Sequence, residues 1–102
     1  MNMEKSRMET RRFRLNQDLR LLVPIARRLA RKAGVQGITV ENVQRWAENH
    51  GVLLAYTDRA YRALVFGGVM REAGLVPTGE LVRSSRIGTK GGNWNRRWRL
   101  AA

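Results

Sequence analysis

The chain has no cysteine, one histidine and two prolines in 102 residues. Disulfides and thiolate metal sites are therefore excluded, and a lone His50 argues against a metal centre or a histidine-based triad. Carboxylates are scarce as well. The eight present form no paired arrangement suited to acid–base or metal chemistry, so a non-enzymatic chain without cofactor or metal is expected. No apolar run approaches the roughly 18 residues that a membrane span needs. Residues 1–15 are charged throughout and lack the apolar core of a secretory signal, so the expectation is an intracellular protein with no membrane partner.

Positive charge is what the chain has in excess. The net formal charge is +12, and it is unevenly placed: +3 over residues 1–15, +4 over 16–34, zero over 35–78 and +5 over 79–102. Clustered cations release condensed counterions when they meet phosphates, so this distribution points to a polyanionic partner rather than to solubility alone. Arginine outnumbers lysine 17 to 3. Guanidinium forks hold phosphates and guanine edges in a bidentate way that an ammonium cannot, although a GC-rich genome would produce the same bias.

The apolar pattern divides the chain. Residues 1–15 have no usable period and are expected to form a basic arm, mobile or the frayed start of a helix. From Asn16 onward, Leu15, Leu19, Leu22, Ala26, Leu29 and Ala33 recur at helical spacing, with Arg20, Arg27, Arg28 and Arg31 largely opposite. Gly34 closes this helix, and Pro24 predicts a kink or a restart within it. Gly37-Ile38-Thr39-Val40 is β-branched and reads as a brief strand before a second helix. Val40, Val43 and Ala47 share the apolar side of that helix, and Trp46 beside them is expected in the core. His50 is expected to be solvated at its end.

A third helix is expected at 58–73. Thr57 is the expected N-cap and Asp58 a first-turn carboxylate, while Gly74 and Pro77 mark the stop. Its apolar side is Tyr61, Leu64, Val65, Val69 and Ala73, widened by Phe66 and Met70. Gly67 and Gly68 cost roughly 1 kcal/mol each against alanine inside a helix, so close helix packing is their expected reason. Val52 to Tyr56, between the second and third helices, should pack against the core.

Two strands follow, expected at Glu80–Ile87 and Trp94–Leu100, joined by glycine-rich turn material at 88–93. Trp94, Trp98 and Leu100 should cover the core, leaving a cationic opposite face. Gly91-Gly92 lacks the strand-to-helix setting and the following Lys-Ser/Thr of a phosphate-binding P-loop, which argues against nucleotide hydrolysis. The fold class is therefore mainly α with a small β-hairpin, an α+β chain ordered α-β-α-α-β-β.

That order, together with Gly37-Ile38-Thr39-Val40, the apolar-Gly-apolar turn in Val69-Met70-Arg71-Glu72-Ala73-Gly74-Leu75-Val76 and the Arg-Trp-Arg-Leu close at 97–100, resembles the winged helix-turn-helix family. It is most similar to the small bacterial and phage type. The resemblance covers residues 16–100. It implies an arm at 1–15, a winged-helix domain at 16–102 with its wing over 80–100, and residence in the bacterial cytoplasm or nucleoid. It further implies binding of double-stranded DNA by a transcriptional or replication regulator. Arg59, Tyr61 and Arg62 would then meet the major groove, and Arg83, Arg86, Lys90, Arg96 and Arg97 would hold phosphates at the wing. Arg11, Arg12 and Arg14 would extend the grip. Two departures stand out: the Gly51–Tyr56 connection is long for a tight helix-turn-helix, and the third helix is unusually apolar. The alternative is a protein-interaction module or phage-type inhibitor on the same fold, and a homodimer is left open.

Overall fold

Among the described residues, three α-helices, a short 3-10 helix at Gly34–Gln36 and one antiparallel strand pair form an α+β arrangement. The computed structural model describes residues 3–84 and 94–101. Helix α1 runs Met3–Ala33, α2 Val40–Asn49 and α3 Arg59–Glu72, followed by strands β1 (Leu75–Arg83) and β2 (Trp94–Leu100). Among the described residues, no helix is long and apolar enough to cross a membrane.

The first helix begins at Met3, not near Asn16, so the basic segment is helical from there on. Residues 3–15 contain no glycine or proline and are rich in Met, Glu, Lys and Arg, all good helix formers. Pro24 neither ends nor restarts the helix. It sits on the exposed side, so the Arg20 carbonyl that loses its usual partner lies beside water.

The core is a wedge of α1 and α3 closed by α2 and the base of the hairpin. Leu19, Leu22, Ala26 and Ala30 of α1 meet Tyr61, Val65, Phe66, Val69, Met70 and Ala73 of α3, with Val43 and Ala47 from α2 and Leu75 from β1. Fully burying a side chain of Leu or Val size contributes about 1.5–3 kcal/mol, so this contact dominates the folding free energy. Gly68 serves the contact directly. A Cβ there would stand 3.1 Å from a Leu19 methyl, whereas one at Gly67 would meet only the Arg71 side chain, at 3.8 Å. Close packing thus accounts for one of the two helix glycines.

Ile38 realises the expected brief strand as a single antiparallel bridge to Trp98, with paired backbone hydrogen bonds of 2.7 Å. Gly37, at φ 76° and ψ −177°, makes that approach possible. A Cβ at this position would lie 2.4 Å from the Trp98 carbonyl oxygen. Thr39 then caps α2, its backbone N–H donating to Asn42 Oδ1 at 2.7 Å.

Several expectations are corrected. Asp58, not Thr57, is the N-cap of α3, and its carboxylate accepts from the Tyr61 N–H at 2.9 Å. Leu64 is 60 % exposed because the buried stripe runs through 61, 65 and 69 with 66, 70 and 73, which turns 64 outward. Trp46 lies half-buried outside the core cluster and stacks on His50, ring centroids 3.9 Å apart. In the connection to α3, Val52, Leu54 and Tyr56 pack on the core while Leu53 is 88 % exposed.

Strand β1 starts at Leu75, directly after Gly74 (φ 78°), and not at Glu80. Leu75, Val76 and Pro77 pair with Leu100, Arg99 and Trp98, and Leu81, Val82 and Arg83 pair with Arg96, Asn95 and Trp94. Thr78, Gly79 and Glu80 therefore face Arg97 alone, which makes an irregularity in the ladder. Pro77 is tolerated in a two-stranded sheet because one edge of β1 needs no ladder partner. The expected end of the first strand at Ile87 and the turn at 88–93 lie outside the described residues.

Candidate nucleic-acid interface

Helix α3 and the hairpin frame an open groove. Arg59, Arg62, Ala63 and Gly67 form one wall, Val40, Glu41 and Gln44 at the start of α2 the floor, and Ser84 and Asn95 the far side. Ser84 Oγ donates to the Glu41 carboxylate, which ties β1 to α2 across the groove. Arg59 is exposed and Arg62 half-buried, and neither guanidinium has a hydrogen-bond or ion-pair partner among the described residues. Two uncommitted cations at the head of a helix, beside a hairpin, suit an anion lying along the groove.

Tyr61 cannot join them. Its ring is 1 % exposed and its hydroxyl donates to Asp18 Oδ2 at 2.5 Å. Burial first, and the Asp18 carboxylate second, push the phenol well above its usual pKa, so it stays neutral. Asp18 also accepts from the Ala55 N–H at 3.1 Å. One buried carboxylate thus joins α1, the α2–α3 connection and α3, and it fixes the angle at which α3 presents Arg59 and Arg62. Sequence pattern hid this because Asp18 reads as a solvated residue one position before Leu19.

Of the arm arginines, Arg11 is occupied at home. Its guanidinium donates to both carboxylate oxygens of Asp58, at 3.2 and 3.0 Å, and stands 4.4 Å from the Tyr56 ring centroid. The Tyr61 N–H and then Arg11 hold the Asp58 carboxyl below its usual pKa, so the cap stays charged into mildly acid solution. Arg12 is exposed, and Arg14, also exposed, donates to Gln17 at 3.2 Å. A further arginine has a structural task unforeseen in the sequence: Arg27 Nε donates to the Ala73 carbonyl at 3.0 Å and so caps the end of α3.

On the hairpin the two faces differ. Arg97 is held by Glu80 at 3.3 Å and donates to the Gln36 carbonyl at 3.3 Å, so it is a brace rather than an open phosphate contact. Arg83 and Arg96 share the exposed face with Leu81 and Trp94. Trp94 does not cover the core: it is 62 % exposed, with the Arg83 guanidinium 6.0 Å from its ring centroid. Trp98 and Leu100, farther along the strand, do pack on the core. Arg86 and Lys90 lie outside the described residues. The described residues contain no cluster of three or more side chains able to hold a metal ion.

Comparison of the chain with family models, with curated proteins and with solved structures finds no match in any of the three.

Proposed function

We propose that the chain is a winged helix-turn-helix protein that binds double-stranded DNA without enzymatic activity, in a regulatory role in transcription or replication. The single observation behind this reading is the groove in which Arg59 and Arg62 of α3 face the hairpin with no partner among the described residues. In this reading the β1–β2 hairpin is the wing, and Arg83 and Arg96 reach phosphates beside the helix. The outward row of α3 is Ala60, Leu64, Gly67 and Arg71, a low profile that admits a helix into a major groove about 12 Å wide. That row offers few groups to base edges. Affinity then rests on phosphate contacts, and discrimination between sequences is weak.

A labelled duplex of about 25 base pairs, its single strand and the matched RNA duplex, each titrated across a salt series, test the proposal. Duplex DNA should bind best at every salt concentration, with log affinity falling linearly in log salt. Negligible binding of all three near physiological salt would sink it. A second reading, a protein-interaction module on the same scaffold, draws on Leu64 at 60 % and Leu53 at 88 % exposure. Under that reading Leu64→Asp abolishes capture of the partner and Arg59→Gln leaves it nearly intact, whereas Arg59→Gln should weaken duplex binding.

A further inference from the structure

The outer face of the hairpin carries four exposed side chains in a block: Leu81 across from Arg96, and Arg83 across from Trp94. Leu81 is 58 % and Trp94 62 % exposed, so a large apolar surface stands in water at the distal part of the hairpin, beyond the reach of the core. Two guanidiniums flank it. The nearby carboxylate, Glu80, is taken by Arg97. The block therefore presents an indole with the exposed Arg96 guanidinium on the same face and the Arg83 guanidinium 6.0 Å from its ring centroid.

We propose that Trp94 is a stacking platform for an unpaired base, with Arg96 on the same face gripping an adjoining phosphate, so that the protein prefers duplexes carrying a single-stranded end or an unpaired nucleotide. The inference rests on the DNA-binding reading and deepens it. Charge complementarity selects the occupant, since a strand of nucleic acid alternates an aromatic face with a phosphate and the hairpin offers the complement of both. A paired base inside a duplex keeps its faces covered by its neighbours, so the indole can add affinity only where a base is unstacked. Stacking of a base on an aromatic side chain is sequence-tolerant, which agrees with the few base-reading groups on α3.

The test compares a blunt duplex with the same duplex bearing a short single-stranded overhang that contains 2-aminopurine next to the junction. The wild-type chain should bind the overhang form roughly tenfold more tightly, within the range that base–aromatic stacking supplies, and should quench the 2-aminopurine emission. Trp94→Ala should abolish both the preference and the quench while leaving blunt-duplex affinity and the urea unfolding midpoint unchanged. Trp94→Phe should keep part of each. Equal wild-type affinity for the two duplexes overturns the inference and leaves the DNA reading standing, and so does a Trp94→Ala loss of the same size on both. If neither duplex binds, the DNA reading fails and takes this inference with it.

Discussion

Trp98 and Trp94 lie on one strand, four residues apart and with the same parity, yet one packs on the core and the other stands in solvent. The proximal part of the hairpin rests on Ile38, and the Leu75–Leu100 pair closes the core beside it. Past the irregularity at Thr78–Glu80 the strands continue, and the same parity now faces water. Alternation along a strand therefore fixes which residues share a side. Whether that side is dry depends on what lies beneath, and here the support ends between Trp98 and Trp94.

The support is best removed at Gly37. Its backbone occupies a region that is nearly glycine-only, and a Cβ would overlap the Trp98 carbonyl. Gly37→Ala should cost about 3 kcal/mol, from backbone strain together with loss of the paired Ile38–Trp98 hydrogen bonds, read as a lower urea midpoint. A neutral result would mean that the Ile38 bridge does not hold the hairpin to the core. Truncating the tryptophans separates the two regions by a smaller amount. Trp98→Ala should destabilise by about 2 kcal/mol, below the range for a fully buried aromatic because the ring is only half-buried. Trp94→Ala should stay within about 0.5 kcal/mol. Similar losses from both would erase the distinction.

The same contrast explains what could be read from the sequence. The helical period from Leu15 to Ala33 and the Gly74 stop depend on local chemistry, and each appears where the pattern places it, whereas the brief strand expected around Ile38 is realised only through its distant partner Trp98. Leu64 and Trp94 are the same kind of miss. Each is a large apolar residue at a plausible spacing, and each falls where no second element arrives to cover it. Tyr61 is the opposite case, a polar-tipped residue drawn inside because Asp18, 43 positions earlier, supplies a partner for its hydroxyl. Arg11, Arg27 and Arg97 were indistinguishable by composition from the arginines that stay uncommitted. Their acceptors, Asp58, the Ala73 carbonyl and Glu80 with Gln36, become adjacent only through tertiary folding.

Arginines on the two sides of the hairpin give the finest version of the comparison. Arg96 shares the exposed face with Trp94, while its neighbour Arg97 is turned inward and braced by Glu80 and the Gln36 carbonyl. A phosphate contact contributes about one unit to the slope of log affinity against log salt, so Arg96→Gln should lower that slope by about one and leave the unfolding midpoint alone. Arg97→Gln should do the reverse. It loses a partly exposed ion pair and one hydrogen bond to a backbone carbonyl, about 0.5–1 kcal/mol together, with the salt slope unchanged. An equal drop in slope for both variants would mean that Arg97 leaves Glu80 when nucleic acid binds, and that the hairpin meets its partner with both faces.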